Sequence, residues 1–157
     1  MDERTRAATY QDVLRIVELL EKERVEYALI GGYALALQGI VRLTEDVDIL
    51  VEPTLENSEK WVRALSQLPD GAAKELVGDT TLHTEPYAIR INDEFTIDIM
   101  NSASGFTWKD LLPFRSRIDG VNVISLEGLL KMKSAGRLKD QADAEMIRRM
   151  LTTGSLE

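Results

Sequence analysis

The sequence predicts an α/β (α+β) fold: a mixed sheet of about four to five strands covered by helices, finished by a C-terminal helix pair. Three observations point to it. Element signals run α-β-α-β-α-β-β-β-α-α along the chain, an order that suits a mixed sheet with helical cover. Two segments, EDVDILV (45–51) and EFTIDIMN (94–101), alternate apolar and polar residues with a period of two. Elsewhere apolar residues recur at i, i+3, i+4 and i+7, the stripe of a half-buried helix.

Thr9-Tyr-Gln-Asp12 has the form of a capping box opening a first helix. Val13, Ile16, Val17 and Leu20 supply its apolar stripe, and it is expected to end near Arg24. Val25 to Ile30 is a short strand halted by Gly31-Gly32, and Tyr33 to Gln38 is a short helix stopped by Gly39. Glu45 to Val51 is the second strand, closed by Pro53. Leu55 to Leu68 is a helix with Trp61, Leu65 and Leu68 on one face, followed by a turn at Pro69-Asp70-Gly71. Thr81 to Ile91 and Glu94 to Met100 are strands joined as a hairpin at Asn92-Asp93. Trp108 to Leu112 is a helical turn and Val121 to Ile124 a last strand. Helices over 126–135 and 139–151, with Gly136 between them, complete the order.

A chain of 157 residues is most economically a single domain, with a core over about 25–125 and terminal helices over 126–151. The hydrophobic share of 44% and charged share of 29% are those of an ordinary globular protein. No apolar run approaches the ~20 residues that span a bilayer, and the first residues hold no apolar signal core. The absence of cysteine excludes thiolate metal sites, disulfides and Cys nucleophiles, and suits a reducing cytoplasm. Net charge is −8, made of −10 over residues 1–100 and +2 over 101–157. Such an acidic total argues against broad, sequence-blind binding of duplex DNA, and no membrane partner is expected. The lone His83 leaves no Ser-His-Asp arrangement to argue for, and its expected role is structural.

Alternation in EDVDILV turns Val47, Ile49 and Val51 to the core and forces Asp46 and Asp48 onto the other face, with α-carbons ~6.6 Å apart. Carboxylates that close repel one another unless a cation lies between them. The same reading of EFTIDIMN buries Phe95, Ile97 and Ile99 and leaves Asp98 among Thr96 and Met100. If these two strands are neighbours, three carboxylates converge, a ligand set that suits Mg²⁺ or Mn²⁺ together with a substrate's phosphates. Gly31-Gly32, at a strand–helix junction, lets a phosphate approach the backbone closely. The spacing is neither that of a P-loop nor that of a dinucleotide-binding fingerprint.

Gly31-Gly32, then Asp46-Val47-Asp48, then Asp98 resemble the signature of the DNA polymerase β-like nucleotidyltransferase superfamily. The string GGYALALQGIVRLTEDVDILV is most similar to small bacterial members typified by the AbiEii abortive-infection toxins. LLKMKSAGRLKDQADAEMI is similar to that branch's Lys–x₃–Arg–x₂–Asp–x₂–Asp pattern, through Lys133, Arg137, Asp140 and Asp143. The resemblance covers about residues 25–150 and implies NMP transfer from an NTP to an acceptor, with release of pyrophosphate. It implies Asp46, Asp48 and Asp98 as the catalytic, metal-binding acids, with Mg²⁺ (or Mn²⁺) as cofactor. Gly31 and Gly32 would seat the β- and γ-phosphates, and Lys133 would neutralise the leaving pyrophosphate. Arg42, Arg137 and Asp140 are supporting candidates; Arg42 either reaches a phosphate or braces Asp46.

The acceptor, whether tRNA, a protein or a small molecule, is not read from the sequence, and a partner protein from a toxin–antitoxin pair is also implied. Two rivals stand beside the enzyme: a nucleotide-binding interaction module without turnover, and a metal-dependent phosphohydrolase using the same acids.

Overall fold

The computed structural model describes residues 5–84, 86–134 and 138–154. Helix α1 (Tyr10–Lys22) opens as its sequence dictates. The Thr9 side chain accepts from the Asp12 backbone N–H, and the Asp12 carboxylate accepts from the Thr9 N–H. Arg6 adds a bidentate ion pair to the same carboxylate, at 2.6 and 2.9 Å, and lies over the Phe95 ring. Arg6 thereby links the opening of α1 to Phe95 in the loop before Thr96.

Strand β1 (Tyr27–Ile30) runs straight into helix α2 (Gly31–Leu37), which begins at the first glycine rather than after the second. Strand β2 (Asp46–Val51) follows, then α3 (Leu55–Leu65). A 3-10 turn at Ala72–Leu76 leads to the hairpin of β3 (Ala88–Asn92) and β4 (Thr96–Met100). A two-stranded ribbon, β5 (Ser102–Ala103) and β6 (Phe106–Thr107), precedes α4 (Trp108–Leu111). Strands β7 (Arg115–Ile118) and β8 (Val121–Ile124) and helices α5 (Leu126–Lys133) and α6 (Leu138–Thr153) end the order.

The main sheet has six strands in the order β3-β4-β2-β1-β8-β7. Pairs β2/β4 and β1/β8 are parallel, while β1/β2, β3/β4 and β7/β8 are antiparallel. The mixed α/β architecture expected from the sequence is present, with one or two more strands than expected. Val47, Ile49, Val51, Ile97 and Ile99 are fully buried and belong to one core with Val13, Ile16 and Leu20 of α1 and Trp61 and Leu65 of α3. Burying side chains of this kind contributes roughly 1.5–3 kcal/mol each. That continuous apolar face makes the opposite face of β2 and β4 the one available for polar work.

The sequence differs from the structure in its irregular segments. Among the described residues of the strand expected over Thr81 to Ile91, only Ala88 onward joins the sheet, and Leu82 to Thr84 form a turn. Alternation alone could not separate a strand from a turn that buries Leu82. The expected α3 extension to Leu68 is a tight turn, with Leu68 N–H donating to the Leu65 carbonyl.

Candidate active site

In-register pairing puts Asp48 of β2 directly beside Asp98 of β4, and Asp46 beside Thr96. Paired residues on neighbouring strands point to the same face, about 4.8 Å apart. On the other side of β4, Asp98 pairs with Arg90 of β3. Ile30, the last residue of β1, pairs with Asp48 from the opposite flank. One row across the sheet thus reads Ile30, Asp48, Asp98, Arg90, with Asp46 two residues behind Asp48 on the same face.

Arg90 binds these acids together. Its Nε donates to Asp98 Oδ1 at 3.0 Å and its Nη2 to Asp98 Oδ2 at 3.2 Å. The same Nη2 reaches Asp46 Oδ2 at 3.4 Å. Asp48 takes no part in this fork. Burial first, then the charge of Asp98 and a hydrogen bond shared with it, and then the charge of Asp46, hold the Asp48 carboxyl well above the usual carboxylate range; Lys133 opposes them. This is the electrostatic signature of crowded acids that lack sufficient positive charge.

Gly31 makes the row possible. Its φ of +74° is a left-handed conformation, and a Cβ there would collide with Asp48 Oδ2. A Cβ on Gly32 would lie 2.7 Å from Thr44 Cβ. The paired glycines therefore clear the space in front of the acids and in front of the loop leading to β2.

Gly31, Gly32, Arg42, Thr44, Asp46, Asp48, Lys133 and Asp143 line a polar cleft of about 340 Å³. A second, mostly apolar cleft of about 390 Å³ shares Gly31, Leu35, Asp48 and Lys133 with it. Ile30, Ala88, Met100, Leu129 and Met132 form its apolar lining, with Ser102 and Ser104 beside them. Asp48 and Lys133 thus stand on the boundary between a charged compartment and an apolar one.

Lys133, in the last turn of α5, is held by Asp140 at 3.0 Å and Asp143 at 3.2 Å, both on α6. Arg42 forms an ion pair with the buried Asp143, so it braces α6 rather than Asp46. Arg137 lies outside the described residues. Arg90 and Asp143 are the site residues that the sequence reading left out of its site. Asp143 was visible in the Lys–x₃–Arg–x₂–Asp–x₂–Asp pattern. Arg90 was hidden by the hairpin register, since a two-residue turn at Asn92-Asp93 would have set it opposite Phe95. The loop spans Asp93 to Phe95, which shifts the pairing to Asn92↔Thr96 and Arg90↔Asp98.

The chemistry of the donors suits a hard divalent cation: carboxylates only, on rigid strands, in front of a glycine that leaves them room. Among the described residues, no three acidic or histidine side chains stand at ready-made metal-holding spacing. Asp46 and Asp98 are instead linked through the Arg90 guanidinium.

A solved structure from Thermotoga maritima, provisionally described as a nucleotidyltransferase, is similar to this chain with a TM-score of 0.54 and 21% identity. The match covers 91% of this chain and 92% of that one. The likeness is one of fold. No family model matches the sequence, and no curated protein matches it. A nucleotidyltransferase-like fold is thus shown across nearly the whole chain, and the chemistry rests on the side chains described above. No helix among the described residues is long and apolar enough to cross a membrane.

Proposed function

We propose that the protein is a nucleotidyltransferase: it transfers NMP from an NTP to a hydroxyl-bearing acceptor and releases pyrophosphate. The observation that carries this reading is the side-by-side placement of Asp48 and Asp98 on parallel strands, in front of Gly31. A structural or purely interacting protein has no need to bury one carboxylate against another.

In the proposed reaction the acceptor oxygen attacks the α-phosphorus, the bond from that phosphorus to the bridging oxygen breaks, and pyrophosphate departs. Asp98 takes the acceptor proton. Asp46, Asp48 and Asp98 would hold Mg²⁺ or Mn²⁺, which supplies charge neutralisation at the attacking and leaving oxygens. Gly31 and Gly32 admit the triphosphate to the backbone. Lys133, fixed by Asp140 and Asp143, offsets charge on the leaving group. The polar cleft suits the triphosphate, and the apolar cleft is of a size for a nucleoside or a small acceptor. The motif resemblance extends the reading to the AbiEii-like branch and a toxin–antitoxin role, in which a neighbouring gene would encode the partner.

The test is label transfer from α-labelled NTPs with Mg²⁺ to cellular RNA, proteins and small hydroxylated compounds. Wild type is expected to label an acceptor and release pyrophosphate, and the Asp46→Ala/Asp48→Ala variant to lose at least about 10³-fold of that rate. Identical labelling by the two proteins refutes the reading. Metal-dependent nucleotide binding without transfer points to a binding module, and release of phosphate to a phosphohydrolase.

A further inference from the structure

Among the described residues, two cations stand at the acid row, and their attachments differ. Lys133 is anchored by two carboxylates on α6, with about a quarter of its side chain exposed. Arg90 projects from β3, the edge strand of the sheet, with 61% of its side chain exposed. Its described acidic partners are Asp98 and Asp46. Through them its fork engages both Asp98 oxygens and one Asp46 oxygen. These are oxygens that a divalent ion coordinated by the row would need.

We propose that Arg90 is a displaceable internal counter-ion that competes with the divalent cation for Asp98 and Asp46. The inference rests on the divalent-cation reading of the site. A guanidinium and a dication at contact distance from the same carboxylates repel each other strongly, so binding of one expels the other. An exposed arginine pair is only weakly stabilising, which lets Arg90 swing into solvent without disturbing β3. With Arg90 in place the acid row is partly neutralised. With Arg90 displaced, the carboxylates are free to turn toward a shared ion. Arg90 thereby sets the cation concentration at which the site assembles.

Direct Mn²⁺ binding, measured by electron paramagnetic resonance of the free ion, tests this without any turnover. The proteins compared are wild type, Arg90→Gln, Arg90→Lys and Arg15→Gln. Arg15 pairs with Glu94 at 3.3 Å, and its removal changes net charge equally without touching the row. Arg90→Gln is expected to bind Mn²⁺ about tenfold more tightly, Arg90→Lys about two- to threefold, and Arg15→Gln within about twofold of wild type. Unchanged or weaker binding by both Arg90 variants overturns the proposal, and weaker binding reassigns Arg90 to orienting Asp98. An equal gain in Arg15→Gln also overturns it, since net charge alone would then be at work. Absence of saturable Mn²⁺ binding in wild type and in Arg90→Gln alike removes the metal reading itself, and the competition with it. Normal Mn²⁺ competition without nucleotidyl transfer instead leaves this inference standing while the transfer reading fails.

Discussion

Asp48 is the residue on which folding and chemistry pull in opposite directions. Burial and the neighbouring Asp98 and Asp46 charges push its carboxyl up to about 7 from an ordinary 3.8. A folded-state pKa above the unfolded value means that the folded chain keeps a proton the unfolded chain has lost. Stability from this residue is therefore fully present below about pH 4 and is lost as pH rises toward 7, without further loss above. In metal-free buffer, Asp48→Asn is expected to stabilise the protein at pH 8 by at most about 4 kcal/mol, with little effect at pH 4. Urea unfolding at the two pH values measures this, and an equal effect at both would exclude the crowding of acids as its cause. Gly31 lets the Asp48 carboxylate sit where a Cβ would otherwise be, and any other residue there would be strained in backbone and side chain alike.

At the scale of elements, local rules account for what the sequence revealed. The Thr9/Asp12 capping box, the stripe of α1 and the period-two acids of β2 and β4 all depend on residues a few positions apart, and all are present. The strands missed lack apolar alternation rather than local pairing: β7 joins β8 across Asp119-Gly120, and β5 joins β6 across Ser104-Gly105. Strand β7, Arg-Ser-Arg-Ile, has no apolar alternation; its arginines pair instead with Glu26 and Glu21 from distant segments. The β3–β4 loop hides the Arg90 register because Asp93 is not a simple turn residue. It is buried, and its carboxylate accepts backbone N–H groups from Asp70, Ala72 and Glu94. Asp93→Ala leaves three part-buried donors without that partner and is expected to lower stability by about 2 kcal/mol. A shift in the urea midpoint with an unchanged slope is the expected result. Loss below about 0.5 kcal/mol would mean that the register is fixed elsewhere.

For the molecule as a whole, the sheet order β3-β4-β2-β1-β8-β7 converts three separate sequence signals into one place. Sequence alone offered the acids of 45–51 and 94–101 as convergent only on condition that their strands were neighbours. The parallel β2/β4 pairing meets that condition, and the β1–α2 junction brings Gly31 against Asp48. The ties of α6 to the site were legible only in part. Asp143 stood in a recognisable pattern, but its pairing with Arg42 crosses about 100 residues of chain. Charge adds to the picture at this scale: Lys133, Asp140, Asp143 and Arg42 are one ionic set that fixes the C-terminal helices beside the polar cleft. The most direct measurement of the whole account is anomalous scattering from crystals grown with Mn²⁺ and a non-hydrolysable NTP. The expected result is a Mn²⁺ peak within bonding distance of Asp46 and Asp48, with Asp98 alongside and the triphosphate against Gly31-Gly32. Ordered Mn²⁺ and nucleotide bound elsewhere, with the Arg90 fork still closed over Asp98, would contradict it.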